Sequence, residues 1–230
     1  MPQTSVSVII PAYNEEKTIG NVIKETISIM DGQLMPYEVI VVNDGSTDQT
    51  GQVASKHKAR VLSNEKNRGK GYSIRKALEQ AQGDIIITID SDGEHNPKEI
   101  PDLLDPVLGG IDVVSGSRFM SENKYATTKL NRIGNFVFNT AILALTGNYI
   151  TDSQSGFRAM RRKVLEEISL KSDGYEIETE ITVKGLKNGF IFRERPITCK
   201  RRLFNVSKVK LVRDGTKILK TILLESLAKP

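Results

Sequence analysis

The run Ile85-Ile86-Ile87-Thr88-Ile89 leaves no polar side on which a strand could meet water. Such a strand has to be covered on both faces, the condition of a parallel sheet lying between helices. Similar runs recur at Val6-Ser7-Val8-Ile9-Ile10, at Tyr37 to Val42 and at Asp112 to Arg118, with a brief one near Arg60-Val61-Leu62. Between them the apolar residues change to helical spacing, as at Ile19, Val22, Ile23, Ile27 and Met30. This alternation predicts an α/β fold with a mostly parallel central sheet flanked by helices. No repeat, low-complexity tract or linker interrupts it, so the chain reads as one domain over residues 1–215, followed by an amphipathic helix over 216–230.

The Ile85 run ends in Asp90-Ser91-Asp92, and alternation points both carboxylates the same way if the strand continues that far. Like charges so placed are tolerated most easily around a divalent cation, because Mg²⁺ or Mn²⁺ takes a few carboxylate oxygens and keeps positions for water and phosphate. In an open parallel sheet, ligands lie beyond the carboxyl ends of the strands, where this pair falls. An isolated D-x-D also fits a solvated turn, so the rest of the chain has to decide.

Composition narrows the choice. The 230 residues can bury a core without disulfides, and Cys199, the single cysteine, permits neither an internal disulfide nor a cysteine metal cluster. A reducing, cytoplasmic compartment follows most simply. The net charge of +5 favours acidic partners. Few aromatics and no tryptophan leave little on which bases could stack, which argues against nucleic acid. The N-terminus lacks the basic and apolar regions of a signal peptide. The charge-free stretch Ile133 to Thr151 contains Asn135, Asn139, Thr140, Gly147 and Asn148, so it reads as a buried or interfacial helix rather than a span.

In chain order, Asn14 is placed to cap a helix starting at Glu15-Glu16, and Asn43-Asp44-Gly45-Ser46-Thr47-Asp48 is a second acidic loop at a strand end. The loop Asn64 to Gly71 is basic and glycine-punctuated but lacks the spacing of a phosphate-binding P-loop. Asn96-Pro97-Lys98-Glu99 is a helix start. Asp152 to Arg158 reads as a polar loop or short strand, and Gly174 to Glu180 opens a helix that ends at Asn188-Gly189. Phe190 to Ile197 reads as an edge strand because of Pro196.

Together, Val8-Ile9-Ile10-Pro11-Ala12-Tyr13-Asn14-Glu15, Val41-Val42-Asn43-Asp44-Gly45-Ser46-Thr47-Asp48 and Asp90-Ser91-Asp92 resemble glycosyltransferase family 2 with the GT-A fold. Ser117-Arg118-Phe119, Ser155-Gly156-Phe157-Arg158 and the stretch Arg202 to Lys208 are similar to its dolichyl-phosphate mannose synthase branch. The resemblance implies that Pro11, Tyr13, Glu15, Val42, Asp44 and Ser91 contact the nucleotide of a nucleotide-sugar donor. It implies that Asp90 and Asp92 hold Mg²⁺ or Mn²⁺, and that Arg118, Arg202 and Lys208 contact the donor or its diphosphate. Asp92, Arg118 and Arg202 are the expected catalytic group. Glu94 stands where the branch typically has Gln, so it is either a third metal carboxylate or a solvated neighbour. His95 reads as a loop-ordering residue, since oxygen ligands suit this class of metal. Tyr175, Glu176 and Glu178 read as core and helix-start residues.

The implied reaction is inverting transfer of a sugar from GDP-mannose or a UDP-sugar to a polyprenyl or dolichyl phosphate, with Arg132 toward the acceptor phosphate. Such a phosphate is already ionised, so no protein base has to take a proton; Asp152 is the candidate base if the acceptor is a hydroxyl. A nucleotidyltransferase is disfavoured because the loop after the first strand is acidic, and a non-catalytic nucleotide-sugar binder because both metal carboxylates are present. A lipid acceptor implies peripheral contact with the cytoplasmic face of a membrane. The segment Thr216 to Ala228, with Ile218, Leu219, Ile222, Leu223 and Leu227 in a stripe, fits an interface, the protein's own core, a second copy of the chain or a membrane-protein partner equally well.

Overall fold

The computed structural model describes residues 3–120, 129–200 and 211–228. Among the described residues seven strands form one sheet: β1 (Val6–Ala12), β2 (Tyr37–Asn43), β3 (Arg60–Ser63), β4 (Ile85–Thr88), β5 (Val113–Ser117), β6 (Arg158–Arg161) and β7 (Phe192–Pro196). Their spatial order is β3-β2-β1-β4-β6-β5-β7. β2 lies on one side of β1 and β4 on the other, both parallel to it, so the chain reverses its direction of travel across the sheet between them. In open sheets of this kind ligands bind at such a switch point, which here lies at the carboxyl ends of β1 and β4.

β6 departs from the parallel pattern. It is antiparallel to both β4 and β5, which makes β5 parallel to β4. As a result, the carboxyl ends of β1, β2, β4 and β5 and the amino end of β6 all open on the same edge. β7, parallel to β5, closes the far end of the sheet, as its proline predicts.

Alternation sends side chains to opposite faces. Val8, Ile10, Val39, Val41, Ile85 and Ile87 pack under α1 (Ile19–Asp31) and α4 (Ile100–Leu108). Ile9, Ile40, Val42 and Ile86 pack on the other face with α3 (Lys70–Leu78), α6 (Arg162–Glu167) and α7 (Ile177–Lys187). Each fully buried aliphatic side chain contributes about 1.5–3 kcal/mol, which is why the apolar runs fix the strands. A third cluster joins Ile142 of α5 (Lys129–Thr146), Val183 of α7, and Ile218 and Ile222 of α8 (Leu211–Leu227). The C-terminal stripe therefore divides: Ile218 and Ile222 enter the core, while Leu219, Leu223, Leu224 and Leu227 face outward. Among the described residues no helix is long and apolar enough to cross a membrane.

Several local expectations change. Asn14 does not cap a helix: it takes a left-handed conformation, φ 51°, and its Oδ1 accepts from the Thr47 backbone, so α1 starts only at Ile19. α2 is a short helix at Thr50–Ala54. Asn96 Oδ1 does accept from the Lys98 N–H, but over a 3₁₀ turn, and Glu99 reaches across to Thr198 instead of back to its own turn. β4 stops at Thr88, so strand alternation does not govern Asp90 and Asp92.

Candidate active site

The loops at the shared edge are stitched together by hydrogen bonds between segments far apart in sequence. Ser91 Oγ donates to the Pro11 carbonyl at 2.9 Å, joining the end of β4 to the end of β1. Asn14 and Ser46 join the loops after β1 and β2, and the Glu15 N–H donates to Thr50 Oγ1 at 2.7 Å. Asp44 is buried and accepts from Asn64 Nδ2 at 2.7 Å and from the N–H groups of Arg68 and Gly69, each at 2.8 Å. Its carboxylate thus holds the basic loop in place ahead of α3. Val42 is fully buried, so its side chain faces the core rather than this edge, whereas Tyr13 and Asp92 are half-buried beside it.

That anchoring places Lys70, at the first turn of α3, beneath Asp90. Its Nζ lies 2.5 Å from Asp90 Oδ1 and 2.9 Å from Glu178 Oε1. Burial alone would raise the Asp90 pKa, but the Lys70 ammonium and further neighbours, Arg118 among them, together outweigh it and hold the carboxyl down at about 2. The same two carboxylates overcome the effect of burial on Lys70 and push its pKa up. Glu178 is buried and also faces Arg158 Nε at 3.5 Å; neither carboxylate oxygen makes an aligned hydrogen bond. Gly156 lies against the pair: a Cβ there would meet Lys70 Nζ and come within 2.8 Å of Asp90 Oδ2.

Asp92 Oδ1 accepts from the Glu94 N–H at 2.9 Å, and the Glu94 carbonyl accepts from Lys200 N–H at 2.9 Å. His95 is buried, stacks on Phe157 and has its pKa lowered by burial, so it stays neutral and orders the loop. Beside it, burial pushes the Cys199 thiol up to about 12, which keeps it protonated. Among the described residues no three His, Cys, Asp or Glu side chains form a metal-holding group, so Glu94 is not gathered with Asp90 and Asp92 here. Two hard carboxylates still fit Mg²⁺ or Mn²⁺, which draw the rest of their shell from phosphate and water.

Arg118, just past β5, forms a two-pronged pair with Asp152: Nε to Oδ2 at 2.7 Å and the second guanidinium nitrogen to Oδ1 at 2.8 Å. The Arg118 backbone N–H adds a third bond at 3.1 Å. Asp152 is wholly inaccessible, and Glu194 in β7 accepts from its N–H. Its carboxylate is therefore committed to orienting Arg118. Asn135 and Asn139 of α5 both donate to the Thr151 carbonyl, and Arg132, one helical turn before Asn135, is exposed on that side of the helix. Arg202 and Lys208 lie outside the described residues.

Lys70 is a group that sequence reasoning did not select, and Glu178, read there as a core and helix-start residue, is buried in the first turn of α7 as that reading has it but also faces Lys70. Lys70 is visible in the sequence as the cation between Gly69 and Gly71, but its partners lie just past β4 and in α7, and no spacing reveals them.

Residues 7–169 match the profile of Glycosyl transferase family 2. The chain is 32% identical over 212 residues to a dolichol-phosphate mannosyltransferase of Pyrococcus furiosus, covering 89% of this chain but 59% of that protein. It is 29% identical over 254 residues to a UDP-N-acetylglucosamine–dolichyl-phosphate N-acetylglucosaminyltransferase of Methanococcus voltae, covering 100% and 99%. Among solved structures, glucosyl-3-phosphoglycerate synthase from Mycobacterium tuberculosis, in complex with Mn²⁺, UDP and phosphoglyceric acid, superimposes with a TM-score of 0.80 at 27% identity, over 100% of this chain and 80% of that one. The same enzyme is also solved with Mg²⁺ and UDP.

Proposed function

Because the chain belongs to glycosyl transferase family 2 and is a glycosyltransferase, we propose that it moves a hexose from a nucleotide sugar to the phosphate of a polyprenyl or dolichyl lipid. The observation that carries the choice of acceptor is the Arg118–Asp152 pair. Asp152, the candidate base for a hydroxyl acceptor, is fully buried with both oxygens held by Arg118, whereas an ionised phosphate needs no base. A lipid-phosphate oxygen attacks the anomeric carbon, the bond from that carbon to the diphosphate breaks, and the electron pair leaves with the nucleoside diphosphate. The sugar configuration inverts.

The chain's own groups orient the donor and stabilise the leaving charge. Pro11, Tyr13, Glu15, Val42, Asp44 and Ser91 line or brace the nucleotide end, with Val42 and Asp44 acting as supports. Asp90 and Asp92 would hold a divalent cation, whose positive charge would stabilise a departing diphosphate. Arg118 adds a fixed guanidinium at the same edge, and Arg202 and Lys208 supply further cations. Arg132 on α5 receives the acceptor phosphate.

The lipid reaches the site at a membrane surface. Leu130, Ile133, Phe136 and Val137 of α5 and Leu223, Leu224 and Leu227 of α8 are exposed, with Arg132, Lys217 and Lys220 near them, an arrangement suited to lying on an anionic, cytoplasmic leaflet. The test is transfer of radiolabelled sugar from GDP-mannose, UDP-glucose and UDP-N-acetylglucosamine to a short polyprenyl phosphate, the matching polyprenol, or phosphoglyceric acid. Transfer to the lipid phosphate alone, abolished by a chelator, is expected. Transfer to either hydroxyl acceptor in preference to the phosphate overturns the assignment.

A further inference from the structure

We propose that Lys70 is a resident counter-ion that occupies the divalent cation's place on Asp90, so that metal binding requires its displacement and becomes coupled to nucleotide binding. This rests on the metal reading of Asp90 given above. The Lys70 ammonium lies 2.5 Å from Asp90 Oδ1, within the shell that a cation on this carboxylate would use. An ammonium and a divalent cation cannot share that oxygen closely, because at such a separation like charges repel strongly unless water screens them. Only 12% of the Lys70 side chain is exposed, so water screens it little.

The backbone beneath Lys70 is fixed. Gly69 has φ 102°, and a Cβ on either Gly69 or Gly71 would strike the backbone of Asp173 or Ser172. The Tyr72 N–H donates to the Asp173 carbonyl at 3.1 Å, and Arg75 reaches the same segment. Relief therefore falls to the flexible four-carbon stem of the lysine. Gly156 closes one side of the Lys70–Asp90 pair. On the other, Glu178 at 2.9 Å offers a place that the ammonium already half occupies.

Retreat onto Glu178 alone costs the ammonium one of its two carboxylates. The diphosphate of a bound nucleotide offers replacement oxygens to the displaced ammonium and to the metal at once. Metal alone thus binds against Lys70, and metal with nucleotide binds with its help. The coupling is reciprocal: nucleotide strengthens metal binding by the same factor by which metal strengthens nucleotide binding.

Titration calorimetry of the full chain with Mn²⁺ alone, and with Mn²⁺ in saturating GDP or UDP, tests this without any turnover. Lys70→Met is expected to bind Mn²⁺ alone about tenfold more tightly than the wild type and to lose about tenfold of the nucleotide-dependent gain. Because Lys70→Met leaves the buried Glu178 with only Arg158 opposite it, the double variant Lys70→Met/Glu178→Gln carries the same expectation with that excess negative charge removed, its fold checked by circular dichroism. Lys98→Met, an exposed loss of the same charge, is expected to leave Mn²⁺ affinity unchanged. If the double variant binds Mn²⁺ alone no more tightly than wild type, while wild type still binds it with nucleotide, the counter-ion role of Lys70 is wrong. Tightening by Lys98→Met equal to that by Lys70→Met overturns it too, by reducing the effect to net charge. If wild type fails to bind Mn²⁺ even with GDP and UDP, the metal reading of Asp90 falls, and this inference with it.

Discussion

Asp90 and Asp92 are separated by one residue yet stand in different surroundings: Asp90 is paired with Lys70, while Asp92 is held by the Glu94 backbone at the half-buried rim. Asp92→Asn keeps the shape and an acceptor for that backbone bond but removes the charge. It is expected to abolish transfer while moving the melting temperature little, since a rim carboxylate adds little to the core; full activity with unchanged metal dependence refutes the assignment. Gly156→Ala acts on the neighbouring residue by sterics alone. The added methyl displaces Lys70 and Asp90, whose atoms occupy its place. Transfer should fall by about 10²-fold, as expected when catalytic geometry shifts by about an ångström. Wild-type kinetics in that variant would mean that the pair yields without consequence.

At the scale of elements, α7 and α8 show how single helices are held. Glu180, on the first turn of α7, is buried and accepts from the N–H groups of Lys171 and Ser172 and from Lys184 Nζ at 2.6 Å. Burial would raise its pKa, but Lys184 and these donors outweigh it, so the folded value lies below the usual 4.5. A depressed carboxyl pKa contributes stability that is fully present above the unfolded value and is lost as pH falls through the folded value. Glu180→Gln should therefore be less stable than wild type near neutrality, and the gap should narrow as urea titrations are taken from pH 6 down through pH 4; a gap that is constant with pH would exclude the charge as its source. In α8, Ile222 is fully buried against α5 and α7, and Leu223 is exposed. Ile222→Ala is expected to cost about 2–5 kcal/mol in denaturant unfolding, whereas Leu223→Ala should cost almost nothing. Equal losses would mean that the helix is rotated about its axis.

For the whole molecule, the division of α8 changes how membrane contact is tested. Deleting the helix would strip Ile218 and Ile222 from the third core cluster, so loss of binding would not be separable from loss of fold. Replacing the outward Leu223, Leu224 and Leu227 by serine leaves that cluster intact. Wild type is expected to co-sediment with anionic vesicles and to be released by salt, since surface attraction is screened over about 8–10 Å at ordinary ionic strength. The serine variant should sediment less with no fall in melting temperature, and equal sedimentation rules out α8 as the contact. The strands β1, β2 and β4 were legible in the sequence, because an unbroken apolar run has to be covered on both faces, and parallel pairing then sends the loops after them to one edge; β6, Arg158–Arg161, carries no such run, and the sequence left that region as a polar loop or short strand. It likewise placed Asp90, Asp92 and Arg118 at strand ends, because their positions follow local runs. The tertiary structure alone decided their partners. Lys70 meets Asp90 because Asp44 anchors the loop ahead of α3, and Asp152 meets Arg118 because β6 runs against its neighbours and brings its leading loop to the same edge. Periodicity records which way a side chain faces along its own element; it does not record which distant charge stands opposite.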